Sequence, residues 1–345
     1  MGHPYRLREI AQQSGLSLAT VDRVLHRRPG VRPSTVAEVE QAIADLDRQA
    51  SQLRVGGRTF LVDLVMQTPA RFSAAVRSAL EAELPHLRPA VIRARFHLQE
   101  GSSPTEAAET LHRIARRGSQ GVILKAPDDP EVVDAVDDLV ARGIPVVTLV
   151  TDVPDSRRVS YVGIDNRAAG ATAAYLLSQW TQGSAGAALT TLSSAAFRGE
   201  DDRGAGFRQA WAELAPGRSV HEVAETDGLD ASMLDAVGAA LDADATIDTV
   251  YSIGGGNIAT LEAFRLADRT CRAFVAHDLD ADNAGLLRSR RLSAVLHHDL
   301  RGDARRACRA IMQTHGALPG PIHSLPSQIQ VVTPYNEPSA FLAHR

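Results

Sequence analysis

From Phe60 to Thr314 the chain repeats one unit, a short apolar run followed by an amphipathic helical stretch. Apolar runs stand at Phe60–Val65, Ala90–Phe96, Gly121–Leu124 and Pro145–Val150, with helical spacing at 70–84, 104–117 and 130–142 between them. A second series places strands near 161–164, 186–192, 219–224, 249–253, 272–276 and 293–297. Its helices fall near 166–181, 201–214, 230–242, 257–267, 280–289 and 300–314. Strict alternation of strand and helix predicts an α/β fold with parallel sheets covered on both faces. Two such series predict two lobes. Ligands of open parallel sheets bind beyond the carboxyl ends of the strands, so the loops after each run are the places to search for a site.

A different pattern precedes this body. Leu7, Ile10 and Ala11 mark one face of a short helix, and Gly15 ends it, because only glycine takes a left-handed turn without a Cβ penalty. Ser17 can cap a second helix whose inner face is Val21, Val24 and Leu25. Leu18, Ala19, Asp22 and Arg23 then lie outward, as in a helix-turn-helix that offers its second helix to a major groove. A basic loop, His26–Gly30, leads to a third helix begun by Pro33, with Val36, Val39, Ile43 and Leu46 at helical spacing. Asp47 to Arg58 reads as a linker. The expected organisation is a helical head over 1–50, a hinge over 51–58 and a two-lobed body over 59–345.

Charge divides along the same boundary. Residues 1–58 hold nine arginines against six acids, a balance of +3 within a total of -4, so the remainder carries -7. A mildly basic head on an acidic body fits a chain in which only the head meets phosphate. At 345 residues the chain suits two or three domains. It has neither an apolar run long enough to span a bilayer nor the apolar core of a signal peptide, so a cytoplasmic protein is expected. Cys271 and Cys308 are expected to stay reduced rather than form a bridge.

The stretch Leu7–Leu25 closely resembles the head of the lactose-repressor (LacI) family of bacterial transcription regulators. The body resembles that family's effector domain, itself similar to periplasmic ribose-type sugar-binding proteins. Val162-Gly163-Ile164-Asp165-Asn166, Arg203 within Asp201–Phe207, and Ala276-His277-Asp278 occur in the family's order. The resemblance implies that the second helix enters the major groove and that Leu18, Ala19 and Arg23 occupy base-reading positions. Arginine can fork onto guanine, whereas Leu18 and Ala19 offer only apolar contact, so Arg23 is the principal reader. Ser17 and Thr20 would touch phosphate or cap the helix. Leu53 matches the hinge leucine that wedges open a minor-groove step in relatives. Asp22 and His26 depart from the usual serine and asparagine, and the linker is shorter than in the lactose repressor. Asp22 would repel phosphate unless Arg23 or Arg27 neutralises it. A homodimer, possibly extended to a tetramer, on near-palindromic operator DNA is the implied assembly.

The resemblance also carries an effector cleft, position by position. Asp278 matches an aspartate that accepts two sugar hydroxyls, and Arg203 an arginine that donates to ligand oxygens. Asp129 falls where ribose-type binders have an aspartate, His298 where glutamine is common, and Asn257 one residue from the usual ligand asparagine. Phe72 is placed to stack on a sugar's C–H face. Lys125 is the only lysine in the chain and closes the run Val122–Leu124. A compact ammonium there suits a carboxylate or phosphate, which widens the expected effector from a sugar or polyol to a sugar acid or sugar phosphate.

Other functions find weaker support. His297 and His298, as neighbours on a strand, point to opposite faces and make a poor metal pair. Ser252–Asn257 is glycine-rich but lacks the dinucleotide spacing and a Walker lysine. No enzyme activity, metal or cofactor is expected. The alternative reading is a sugar-binding protein or sugar-processing enzyme with no regulatory role.

Overall fold

A computed structural model describes residues 5–55, 59–101, 103–194, 196–224 and 230–338. In the head, α1 (Leu7–Ser14) ends at Gly15, whose φ of 70° is left-handed. The Ser17 side chain accepts from the Thr20 amide at the start of α2 (Leu18–Leu25). Ile10, Val21, Val39 and Ala42 form the small core, with Val24, Leu25, Ile43 and Leu46 packed around it. Leu7, expected on the inner face, is instead exposed. The third helix, α3, runs from Pro33 to Val55 without a break. It therefore crosses the expected boundary between head and hinge. The reason lies in 44–55, where no glycine or proline interrupts a run of ordinary helix formers before Gly56-Gly57. The side chain of Leu53 and residues 56–58 lie outside the described residues.

The first lobe is built on β1 (Thr59–Gln67), β2 (Val91–Gln99), β3 (Gly121–Lys125), β4 (Val146–Leu149) and β5 (Ser160–Val162). All five strands are parallel, in the order β2-β1-β3-β4-β5. Helices α4 (Ala70–Glu83), α5 (Pro104–Arg117) and α6 (Pro130–Ala141) connect them. The second lobe holds α7 (Asn166–Trp180), β6 (Ala188–Thr191), α8 (Arg198–Leu214), β7 (Val220–Val223), α9 (Asp230–Ala243) and β8 (Thr249–Ser252). It continues with α10 (Asn257–Leu266), β9 (Ala273–His277), α11 (Ala281–Arg288) and β10 (Ala294–His297). The last elements are α12 (Leu300–Thr314) and β11 (Gln330–Val332). The second sheet runs β11-β10-β9-β8-β6-β7, parallel except for β11 against β10.

The strand between 160 and 162 belongs to the first sheet, pairing with β4, and not to the second series as sequence order suggests. Likewise α12 packs Leu300, Ala304, Ala307 and Ile311 into the first lobe's core beside Phe60 and Leu64. The chain therefore passes between the lobes after β5, after β10 and again before β11. In each sheet the order reverses beside the first strand, so β1/β3 and β6/β8 are switch points where the loops diverge and leave a crevice. Among the described residues no helix is long and apolar enough to cross a membrane. Cys271 and Cys308 are both unbridged.

Candidate ligand cleft and nucleic-acid interface

Loops from both switch points close on one polar cavity. Thr68 and Lys125 reach it from the ends of β1 and β3, and Ile253 to Gly255 from the end of β8. Asp278 follows β9 with a φ of 60°, a left-handed backbone that a non-glycine residue holds only when its surroundings enforce it. Here the enforcement is visible. The Asn283 side-chain amide donates to the carbonyls of His277 (2.9 Å) and Asp278 (2.7 Å), and Asn257 in turn donates to Asn283 (2.6 Å). Val150, also in the lining, has a φ of 68°, and its carbonyl accepts from Asn166 (3.2 Å) and Tyr161 (3.2 Å).

Arg203 of α8 is buried to 3 % exposure. Its Nε donates to Asn166 (2.8 Å), its Nη1 lies 4.0 Å from Asp278, and its Nη2 has no hydrogen-bond partner. Asp278 faces His298 at 3.5 Å, which is too long for a hydrogen bond and leaves the pairing electrostatic. Asp278 Oδ1 and His277 Nδ1 are also without partners. Buried polar groups are normally satisfied, so these open donors and acceptors mark this cavity as the candidate ligand site.

Burial pushes the Asp278 carboxyl upward, but His298 and the charge of Arg203 outweigh it and hold the group well below the usual carboxylate range. For His298 burial works against the proton, yet its contacts with Asp278 and Asp303 win and raise it to about 9. His277 stays neutral, lowered by burial and then by Arg203. Burial lowers Lys125 to about 8. Of the other charged side chains in the lining, Arg71 pairs with Asp280 at 3.2 Å, while Glu200 accepts from the uncharged Ser193 amide (2.8 Å) and hydroxyl (2.6 Å).

Of the residues singled out in the sequence, Phe72, Lys125, Arg203 and Asp278 line this cavity. His298 stands one layer behind Asp278, fully buried, and Asn257 one layer behind Asn283. Asp129 does not line it and caps α6, accepting from the Glu131 amide at 2.9 Å. Arg71, Glu200, Phe197, Asp280 and Asn283 also line the cavity, and the sequence did not single them out. The helix-capping pattern at Asp280 was the one available signal among them. About 50 Å³ stays open between these side chains, less than a monosaccharide fills, so entry requires the lobes or side chains to move. A larger, more apolar cavity of about 600 Å³ adjoins it, walled by Ala74, Ala75 and Ala79 of α4 and Ala281 and Ala284 of α11. Its walls carry none of the unpartnered polar atoms, which favours the smaller one as the ligand site.

In the head, Leu18 is 54 % exposed, and Ala19 and Arg23 are exposed with it on one face of α2. Ser17 and Thr20 bond each other through their hydroxyls at 2.8 Å, the geometry of a cap. Asp22 is neutralised by Arg28 (3.2 Å), with His26 Nδ1 at 3.0 Å, rather than by Arg23 or Arg27. The turn after α2 folds His26 and Arg28 back onto it, whereas Arg23 points away. Among the described residues Arg23 has no ion pair, and it is exposed.

Fold and cleft together define a two-lobed ligand-binding protein preceded by a helix-turn-helix. The chain belongs to the periplasmic binding protein domain family, whose model matches residues 65–315, and its residues 6–49 match the bacterial regulatory proteins of the lacI family. It is 28 % identical over 183 residues to the HTH-type transcriptional regulator AglR of Rhizobium meliloti (strain 1021). That match covers 51 % of this chain and 50 % of AglR, so the chain spans about half the length of the curated relative it matches. Among solved structures, it is similar to GanP, a glucose-galactose binding protein from Geobacillus stearothermophilus, with a TM-score of 0.71 at 19 % identity. The match covers 82 % of this chain and 99 % of GanP. A solute binding protein of an ABC transporter from Burkholderia graminis C4D1M, in complex with D-arabinose, also gives 0.71 at 18 % identity, covering 79 % and 95 %. At these identities the structural likeness speaks for the fold.

Proposed function

We propose that this chain is a sequence-specific DNA-binding transcriptional regulator, a repressor, whose operator affinity is changed by a small sugar-like effector held in the cleft. The observation that carries the reading is the coexistence of two sites in one chain: an α2 face with Arg23 exposed and, among the described residues, in no ion pair, and a cavity with buried polar atoms at Arg203, His277 and Asp278 that lack hydrogen-bond partners. The protein acts in the cytosol as a homodimer. One head reads too few base pairs for useful specificity, and a two-fold protein matches a near-palindromic site. Arg23 reads a base, Leu18 and Ala19 pack on base edges, Ser17 and Thr20 sit at the phosphates, and Leu53 wedges the minor groove. Asp278 and Arg203 bind effector oxygens and Phe72 covers the ring. His298 and Asn257 position that set from behind, and the effector acts as an inducer that lowers operator affinity.

The test is selection of random DNA duplexes by the purified full-length protein, followed by titration of the selected duplex in the presence of sugars and polyols. A near-palindromic consensus whose affinity changes with one of these ligands is the expected result. Binding without sequence preference overturns the regulator reading. A consensus whose affinity no cleft ligand alters overturns the effector part alone.

A further inference from the structure

Three cations (Arg71, Lys125, Arg203) and three carboxylates (Glu200, Asp278, Asp280) line the cleft, but they are not paired one to one. Asp280 is paired with Arg71, Asp278 with His298 at 3.5 Å and with Arg203 at 4.0 Å, and both oxygens of Glu200 accept from the uncharged Ser193. Two cations remain with open donors. Lys125 is 6 % exposed, and its Nζ donates to the Gln67 carbonyl at 3.2 Å and sits 3.9 Å from the centre of the Phe197 ring. Among the described residues no carboxylate lies within ion-pair distance of it. Arg203 Nη2 is buried and without a partner. A buried cation held by one carbonyl and a ring face lacks the counter-charge that normally offsets its desolvation.

We propose that the effector is a polyhydroxylated molecule bearing an anionic oxygen group, which is seated between Lys125 of the first lobe and Arg203 of the second. This rests on the reading of the cleft as the effector site and adds the chemical class of what enters it. Lys125 comes from the end of β3, whereas Phe197 and Arg203 come from the start and first turns of α8, so an anion held by both ties the lobes together. The hydroxylated remainder faces Asp278, whose carboxylate can only accept hydrogen bonds. A neutral sugar leaves the ammonium without a counter-charge. A carboxylate or phosphate supplies one and forms charge-assisted hydrogen bonds to both donors.

The experiment is titration calorimetry of the full-length protein with matched pairs: uronates and aldonates, and hexose phosphates, each against its neutral parent sugar or polyol. The charged member of at least one pair should bind ten- to a hundredfold more tightly, and the pair that does so distinguishes a carboxylate from a phosphate. Lys125→Met, with Lys125→Gln as a second variant, should reduce that preference at least tenfold. Asp278→Asn should weaken both members of the pair. Neutral parents that bind as well as their acids overturn the proposal and leave the sugar-effector reading standing, as does a preference that survives both Lys125 variants. If no member of any pair binds, the proposal and the effector reading fall together.

Discussion

Two of the buried cationic groups at the cleft, His298 and Lys125, should give opposite responses of stability to pH. His298 is raised from 6.5 to about 9, so the folded state holds its proton more firmly than the unfolded one. Its stabilisation is complete below 6.5 and is lost as pH rises through 9. Lys125 is lowered from 10.5 to about 8, so here the unfolded chain binds the proton more firmly, and stability returns as pH rises from 8. Integrated from pH 7 to 9, His298 removes about 2 kcal/mol and Lys125 restores about 1 kcal/mol. The perturbations are Lys125→Met and His298→Gln. The readout is urea unfolding at both pH values, followed by fluorescence of Trp180 and Trp211 on α7 and α8. The thiols, pushed up to about 12 by burial, contribute alike to every protein, so each variant is read as a difference from wild type. Between pH 7 and 9 Lys125→Met should lose about 1 kcal/mol more than wild type, and His298→Gln about 2 kcal/mol less. If Lys125→Met tracks wild type, Lys125 is not a buried ammonium in the free protein. If His298→Gln tracks wild type, the imidazolium between Asp278 and Asp303 is not what holds this part of the cleft.

Arg23→Ala should cost roughly 1 to 3 kcal/mol on the selected operator and relax the choice at one base pair per half-site, measured by fluorescence anisotropy. An equal loss on random DNA makes Arg23 a phosphate contact. Leu53→Ala should weaken operator binding while leaving the urea transition of the body unchanged, because a minor-groove wedge acts only on bent DNA. An unchanged operator affinity together with a lower melting temperature places Leu53 in the head core instead. Asp278→Ala should abolish the effect of ligand on operator binding, read by the same anisotropy titration, and a wild-type response in the variant shows that the cleft is misassigned.

The alternation of apolar runs and helices reported the lobes, because a strand buried on both faces leaves an unmistakable apolar run. Which lobe each element joins was less legible. The run at 160–162 and α12 lie beside the points where the chain crosses over, and an apolar face fits either core equally well. The antiparallel β11, only three residues long, carried no period at all. Within the cleft, Lys125 and Asp278 could be found because both stand at strand ends. Arg71 and Glu200 could not, since charged residues on a helix normally face water. Glu200 was further hidden because α8 begins at Arg198, three residues before its apolar period becomes regular. Asp22 shows the converse limit. Its need for neutralisation was legible, but the choice of His26 and Arg28 over Arg23 depends on how the chain turns after α2.

On the function proposed, the contacts of His298 offer a route by which the two sites communicate. Asp278 touches the effector side of His298, and the other nitrogen of His298 bonds Asp303 on α12. Asp303 accepts from Ser327 at 2.5 Å, and the Ser327 amide donates to the Gly163 carbonyl at 2.7 Å. His298 lies on the passage after β10, Ser327 on the passage before β11 and Gly163 on the passage after β5. One chain of polar contacts therefore joins the ligand-facing carboxylate to all three connections between the lobes. On the function proposed, a ligand oxygen that draws Asp278 away from His298 would alter the charge balance at these connections and so bias the angle between the lobes. In the proposed dimer such a change would alter the spacing of the two heads. The coupling must be reciprocal, so operator binding shifts the affinity for effector by the same factor.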